Sequence, residues 1–185
     1  MQSGRFYFIV DEYFEKFDGN NLMTNKEVTD GKEHNRPCYY SFKETDSDIM
    51  WMIPISSKIA KYEKVYNEKI KKYKNYDGIK FGFVLGKKHA FLIQNMCPVT
   101  EKYIKNEFID NATNEPVIIK TSLMAELNAS VRKAIRLNQQ GTRIVFADIQ
   151  KIRASLISEL SKYGQQSCPT VGLAVADATG TDTTI

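Results

Sequence analysis

The sequence predicts an α+β fold, a small barrel of antiparallel β-strands decorated by helices. Two observations favour this class. Five or so short segments, rich in β-branched and aromatic residues, follow one another with few crossovers. One strongly basic helical segment is inserted after the third strand, and two further helical segments come near the end of the chain. A length of 185 residues fits one domain that can bury a sizeable core.

The first third of the chain contains three predicted strands and one long polar connection. Residues 5–10 (RFYFIV) are aromatic and β-rich, and residues 11–17 suit a helical turn. The connection over residues 18–35 is long for a compact domain, and loops of that length are usually functional or mobile. The second and third strands are predicted at residues 36–42 and 49–55.

The most informative segment is the helix predicted to begin at Ile59, where the apolar spacing changes to a helical period, and to end at Asp77-Gly78. Residues 58–80 contain eight lysines against three acidic residues, a net charge of +5. The whole chain carries +4, so the rest sums to −1. This local concentration of lysine and tyrosine indicates a surface for RNA. The plainer interpretation is a solvated amphipathic helix whose tyrosines pack on the barrel.

The second half is predicted to contain a hairpin, a short strand and two long helices. The hairpin covers residues 79–96 with its turn at Gly86-Lys87. The remaining boundaries are a strand at 107–109, a helix at 121–140 ended by Gly141, and a helix at 148–163 capped by Asp148 and ended by Gly164. One domain is therefore expected over residues 1–164, with a tail of small residues, 165–185, outside the core.

Several function classes are disfavoured by composition. No apolar run approaches the length of a membrane span, and Asp11 directly follows the first apolar stretch, unlike a signal peptide. Three cysteines at positions 38, 97 and 168 fit a reducing cytoplasm better than a disulfide framework. The sequence has no P-loop, GxGxxG, HExxH, CxxC or GxSxG motif, so we expect no cofactor and no metal.

The hydroxyl pair Ser56-Ser57, followed by Lys58, ends the third predicted strand. RNA carries its own nucleophile, the ribose 2′-hydroxyl. A protein that cleaves RNA must therefore hold this group in line with the phosphate, stabilise charge on the phosphoryl oxygens and assist proton transfer. Hydroxyls and a cation suffice for the first two tasks. The plainer interpretation is that Ser57 caps the helix that follows.

A second cluster, His34-Asn35-Arg36-Pro37, ends the long connection and enters a strand. Arg36 offers a bidentate fork for a phosphate, or it is an ordinary surface arginine. The two histidines, His34 and His89, could form an acid–base pair, but His89 lies in an alternating strand and is expected to be structural.

Further residues are candidates for contact with RNA rather than for catalysis. Aromatic rings could stack on bases if they are exposed, although such rings more often belong to the core. The candidates are Asn35, Tyr40, Trp51, Tyr76, Lys61, Lys64, Lys71, Lys72 and Lys80.

The order of these clusters resembles a known family. An aromatic first strand, HNRPCYY, and an apolar strand ending in PISS are similar to the Kid/MazF/PemK-like toxin endoribonucleases. The resemblance is closer to the toxins of type III toxin–antitoxin systems, the ToxN/AbiQ/CptN group, and closest to its CptN branch. It rests on GRFYFIVDEYFEKF, NRPCYY, WMIPISSKIAKYEKVY, GIKFGFVLGKKHAFLIQNMCPVT and the ELN of AELNASVRKAIRL, over about residues 4–160.

This resemblance implies a compact SH3-like barrel with added helices and a metal-independent, sequence-selective endoribonuclease used in phage defence. It implies products with a 2′,3′-cyclic phosphate and a 5′-hydroxyl. It also implies inhibition by a small RNA antitoxin of pseudoknot repeats, which the toxin cuts from its precursor, and a closed toxin–RNA assembly in the cytoplasm. Cellular mRNA would be the other substrate.

The expected roles follow from both lines of reasoning. Ser57 and Ser56 would position the scissile phosphate or the 2′-hydroxyl, Lys58 and Arg36 would stabilise the developing charge, and His34 would protonate the leaving 5′-oxygen. Two other functions stay open at the level of the sequence. One is a non-catalytic RNA-binding module, and the other is a protein-interaction domain whose basic helix contacts an acidic partner.

Overall fold

The fold, taken from a computed structural model that describes residues 1–29 and 31–166, is a mixed α+β arrangement with an antiparallel sheet. The strands are β1 (Phe6–Ile9), β2 (Lys26–Thr29), β3 (Lys32–Asn35), β4 (Cys38–Lys43), β5 (Met50–Ser56), β6 (Lys80–Val84), β7 (Lys87–Phe91), β8 (Cys97–Val99) and β9 (Ile104–Glu107). The helices are α1 (Asp11–Lys16), α2 (Ile59–Tyr73), α3 (Thr121–Gln139) and α4 (Ile149–Gln166).

Seven strands form one sheet in the order β6-β7-β5-β4-β1-β9, with β8 beside β5. The predicted α+β class is confirmed, but the prediction of a closed barrel is wrong. In the described residues β6 and β9 stay at opposite ends of the sheet. The physical reason lies in β5, which pairs with β8 through Met50–Met52 and with β7 through Ile55 and Ser56, so the sheet splits along this strand.

Strand β5 is the centre of the molecule, because all seven of its residues are buried. The main core forms around it, and α3 and α4 contribute buried faces. Leu127, Val131 and Ala134 of α3 are buried, and so are Ile152 and Leu156 of α4. A second, smaller core lies beneath α2 and contains Tyr62, Ile79, Ala90 and Leu92.

Residues 18–35 were predicted to form a long loop, and this prediction is wrong because they contain a β-hairpin. Strands β2 and β3 form a separate two-stranded antiparallel sheet in which Lys26 faces Asn35 and Glu27 faces His34. Its sequences, KEVT and KEHN, are mostly polar, so they lack the apolar alternation by which strands are recognised. The Lys26 ammonium donates to Asn35 Oδ1 at 2.6 Å across this pair.

Several predicted boundaries shift by a few residues. Helix α2 ends at Tyr73, where Lys74 adopts a left-handed backbone, rather than at Asp77-Gly78. The strand predicted at 107–109 lies at Ile104–Glu107. Helix α4 is capped by Asp148, as predicted, because Asp148 Oδ1 accepts from the Lys151 N–H at 3.2 Å. Gly164 does not end it, since the helix runs to Gln166; the rest of the predicted tail, 167–185 with Cys168, lies outside the described residues.

Two further properties bear on the predictions from composition. Among the described residues, no helix has both the length and the apolar character needed to cross a membrane. Cys38 and Cys97 are free thiols buried in the core.

Glu159 joins helix α4 to α1 and to the short helical turn that precedes β9. Its carboxylate accepts from Lys16 at 2.6 Å, from the Tyr103 hydroxyl at 2.9 Å, and from Lys102. Partial burial by itself would raise the pKa of Glu159, but these hydrogen bonds outweigh burial and lower the pKa to about 2. The stabilisation is therefore present above the ordinary glutamate pKa and is lost as the pH falls through about 2.

We expect Glu159→Gln to lower the free energy of unfolding at neutral pH by about 1 kcal/mol, because it weakens a partly exposed ion-pair network. The difference from wild type should shrink below the ordinary glutamate pKa of about 4.3 and vanish near pH 2. Urea denaturation across this pH range measures it. Glu12→Gln, on exposed surface of α1, is the control and should show no such pH dependence.

Candidate active site

Four parts of the chain meet at one place: the carboxyl end of β5, the start of α2, the segment that leads into β4, and the β2–β3 hairpin. Ser56 is the last residue of β5, and Lys58 is the N-cap residue of α2. Arg36 lies two residues before β4, and its backbone N–H donates to Asn25 O at 2.7 Å, next to the hairpin. The two clusters predicted from the sequence are therefore brought together.

A carboxylate that sequence reasoning missed joins them. Glu27 Oε1 accepts a hydrogen bond from Ser56 Oγ at 2.6 Å, and Glu27 Oε2 lies 3.3 Å from Arg36 Nη1. Arg36 Nη1 also donates to Ile55 O at 3.0 Å. Ser56 Oγ in turn accepts from the Lys58 N–H at 3.2 Å. We call Glu27, Arg36 and Ser56 the Glu27 cluster.

Arg36 and Ser56 are the buried members of the Glu27 cluster, which corrects the expectation that these two residues contact RNA directly. Arg36 is 5% exposed and Ser56 is 1% exposed, and Glu27 of the β2–β3 hairpin contacts both. The alternative of an ordinary surface arginine is also wrong. Removing an ion pair from water costs free energy, which further hydrogen bonds to the two charged groups offset. Here Arg36 donates to Ile55 O, and Glu27 accepts from Ser56 Oγ. Arg36 Nε is buried and donates no hydrogen bond within the described part of the chain.

Tyr62, one turn into α2, is a further member of this environment. It is 6% exposed, and burial raises the pKa of its phenol while the charges of Arg36 and Glu27 act in opposite directions. Its hydroxyl also interacts with Ser56. The phenol is therefore protonated at neutral pH and can donate a hydrogen bond at this site.

His34 faces Glu27 across the β2–β3 pair and is exposed. Residues directly opposite in an antiparallel pair have Cβ atoms about 5 Å apart, so an imidazole and a carboxylate share one side of the hairpin. His89 lies on β7 of the main sheet opposite Gly82, with its ring next to Lys87 O at 3.0 Å. The two histidines stand in different sheets, which disfavours a His/His pair.

Ser57 and Lys58 are the exposed edge of the site. The N-cap position of α2 belongs to Lys58 and has no side-chain capping bond, so the interpretation of Ser57 as the cap is wrong. The Ser57 hydroxyl makes no hydrogen bond to any of the described residues, which leaves it available to a ligand. Free N–H groups at the start of a 15-residue helix add partial positive charge there.

The residues predicted to bind RNA divide into two groups. Lys61, Lys64, Lys71 and Lys72 are exposed along α2. Lys80 is paired instead, with Asp77 at 3.1 Å and Glu126 at 3.0 Å. The Asn35 side chain is half-buried and accepts from Lys26.

The predicted stacking rings are mostly not accessible. Trp51 is 1% exposed and donates from Nε1 to Glu44 at 3.1 Å, so stacking by Trp51 is contradicted. Tyr40 is 5% exposed and packs edge-on against Tyr7, which contradicts its role as well. Both side chains point into the core from strands. Tyr76 is half-buried, donates to Gln94, and has its pKa raised to about 12 by burial.

The arrangement can support acid–base chemistry on a bound anion. A carboxylate is oriented by Arg36 and Ser56, an exposed imidazole lies opposite it, and a cation with a free hydroxyl stands at the rim. Among the described residues, no group of three or more His, Cys, Asp or Glu side chains is arranged to hold a metal ion.

The fold is shared with a protein of known structure, a lactococcal anti-phage endoribonuclease that belongs to a type III toxin–antitoxin system. That protein is AbiQ, and the chain is similar to it with a TM-score of 0.60 and 16% sequence identity, over 89% of this chain and 99% of AbiQ. No protein-family model and no curated protein matches the sequence. The resemblance to the type III toxin group is thus confirmed at the level of the fold.

Proposed function

We propose that this protein is an endoribonuclease toxin of the type III toxin–antitoxin kind. The observation that carries the proposal is the Glu27 cluster, with His34 opposite the carboxylate and Ser57 and Lys58 at the rim. The AbiQ-like fold and the local charge of +5 at residues 58–80 support an RNA substrate.

The reaction is a transesterification within the RNA. The ribose 2′-oxygen attacks the adjacent phosphorus, the bond from phosphorus to the 5′-oxygen breaks, and a 2′,3′-cyclic phosphate and a 5′-hydroxyl form. Glu27 takes the proton of the 2′-hydroxyl, and protonated His34 gives a proton to the leaving 5′-oxygen. Because the RNA provides the nucleophile and these side chains move the protons, the proposed reaction needs no metal.

The geometry changes two of the expected roles. Arg36 and Ser56 are buried behind Glu27, so they act as positioning residues that hold the carboxylate in place. Ser57 and Lys58 are exposed, and they donate to the phosphoryl oxygens as charge develops. Tyr62 supplies a further donor at the base of the site.

The same site accounts for the proposed partners. A repeat RNA antitoxin that occupies the rim of the site and the basic face of α2 would exclude mRNA, and its precursor would be cut by the same residues. Joining of successive toxin and RNA copies would give the closed assembly. A cytoplasmic location is part of this proposal.

A non-catalytic RNA-binding module is the second candidate, and one observation favours it. Ser56 and Arg36 already have partners within the protein, as purely structural residues would. Under this alternative the Glu27 cluster only fastens the hairpin, and RNA binds without being cut. Substitution of Glu27 separates the two functions.

We expect Glu27→Gln to reduce the RNA cleavage rate by about 10²–10⁴-fold while RNA affinity stays within a few-fold, because an amide keeps the shape but cannot accept the proton. Rates of RNA cleavage in excess EDTA and anisotropy titrations measure the two quantities. Glu33→Gln, an exposed glutamate on the neighbouring strand of the hairpin, is the matched control and should cleave normally.

A folded Glu27→Gln protein that cleaves RNA at the wild-type rate would contradict the role of Glu27 as a base. The substitution also removes the negative charge that pairs with the buried Arg36, so it can destabilise the fold. Thermal melting of the variant shows whether it is still folded. If melting is affected, Glu27→Asp gives the second readout: it retains the negative charge at a shorter reach and should restore stability more than activity.

The positions of the lysines on α2 lead to a separate prediction about RNA affinity. Lys61, Lys69 and Lys72 recur at spacings of eight and three residues, so they share one face, in line with Lys58. Changing these three to Gln should weaken RNA binding and flatten the slope of log affinity against log salt by about two units, because each phosphate contact contributes roughly 0.7.

The matched control changes Lys64, Lys71 and Lys74 to Gln, which removes the same charge from another face of α2 and from the residue that follows the helix. If both triple variants flatten the slope equally, RNA contacts are spread around α2. An unchanged slope in both would assign α2 to solvent or to a protein partner.

A further inference from the structure

A cavity of about 420 Å³ lies at the end of α2 opposite to the candidate active site. Its walls come from the last turns of α2, the loop that follows it, the carboxyl half of α3, and residues 142–146. The volume is within the range of small-molecule sites. None of the residues proposed for catalysis lines it.

Two aromatic side chains of this cavity are unusually exposed. Tyr73 is 53% exposed and Phe146 is 45% exposed. Their surroundings are held in place, because the Phe146 N–H donates to Gln94 O at 2.8 Å and the Gln94 side chain accepts from Tyr76. Large rings presented on a fixed frame are suited to stacking with a flat ligand.

The charge of the cavity favours an anionic ligand. Lys69, Lys133 and Arg143 line it against one acidic residue, Asp77. Arg143 Nη2 donates to the backbone carbonyl of Phe146 at 2.6 Å, which fixes the guanidinium at the wall of the cavity. Another cavity among the described residues, of about 380 Å³, is lined by Lys43 and Lys102 and by Asp48, Glu101 and Glu159, so its side chains carry a net negative charge.

The basic face of α2 connects this cavity with the candidate active site. Lys58 lies at the start of the helix, Lys61 and Lys72 follow on the same face, and Lys69 reaches the cavity. A 15-residue helix is about 22 Å long. A single RNA strand that follows this face therefore passes from one site to the other within several nucleotides.

We propose that this cavity binds one unpaired base of a single-stranded RNA, stacked on Tyr73 and Phe146, with the neighbouring phosphates on Lys69 and Arg143. The proposal rests on the proposed function for its RNA substrate. It adds a second recognition site, by which the protein selects a base several nucleotides away from the bond that is cut.

The test measures binding separately from cleavage. The probes are fluorescein-labelled oligoadenylate, oligouridylate and oligocytidylate with 2′-O-methyl groups, which cannot be cleaved by attack of the 2′-oxygen. The double variant Tyr73→Ala/Phe146→Ala should bind at least one of them about 5- to 100-fold more weakly than wild type, the loss of about one stacked base. Phe83→Ala removes a ring that is 64% exposed on β6, outside the cavity, and should bind like wild type.

Equal affinities of the double variant and wild type for all three probes would overturn the proposal. So would an equal loss in Phe83→Ala, or an absence of binding by wild type. The outcome is separable from that of the cleavage proposal. If wild type cuts no unmodified RNA but the double variant alone loses affinity, the base site stands and the cleavage centre fails. If wild type cuts RNA and the double variant binds and cuts identically, the cleavage centre stands and the base site fails.

Discussion

The carboxylate of Glu27 joins parts of the chain that share no secondary structure. It accepts a hydrogen bond from Ser56 at the end of the central strand and pairs with Arg36 before β4. Hydrogen bonds between charged groups are among the stronger ones in proteins, and here they form where water has little access. Removing one partner of such a buried pair typically costs about 3–5 kcal/mol, because the other charge stays buried. The position of the β2–β3 hairpin and the geometry of the site therefore depend on the same contact.

The same contact also fixes the position at which the basic helix α2 begins. The Ser56 hydroxyl that donates to Glu27 accepts from the Lys58 N–H, where α2 begins, and Tyr62 returns to the same cluster one turn later. The first turn of α2 is thus held at the candidate active site. The lysines on one face of α2 therefore extend from the candidate active site toward the cavity at Tyr73 and Phe146.

The parts of this arrangement that were predictable are those with a regular apolar pattern. The helical stripe of α3 and the apolar run of β5 appear at or close to their predicted places, and the HNRP and PISSK motifs were recognisable as a pair. Glu27 could not be identified, because KEVT has no strand period and a lone glutamate in a polar segment carries no signal. The barrel failed as a prediction because β5 pairs with β8 at its start and with β7 at its end, which splits the sheet, and local sequence patterns do not reveal such a long-range choice. The burial of Trp51 and Tyr40 could not be predicted, because it depends on the packing of other elements over both faces of β5 and of the first part of β4.

The most direct test of the account uses an RNA that wild-type protein is seen to cut, with one 2′-deoxynucleotide placed on the 5′ side of the cleaved phosphate. The measurement compares cleavage and affinity for the two substrates in excess EDTA, with analysis of the product ends. The account predicts that the unmodified RNA yields a 2′,3′-cyclic phosphate and a 5′-hydroxyl, and that the 2′-deoxy RNA binds but is not cut at that position. Cleavage of the 2′-deoxy RNA at the same phosphate, or loss of all activity in EDTA with recovery on adding Mg²⁺, would contradict it.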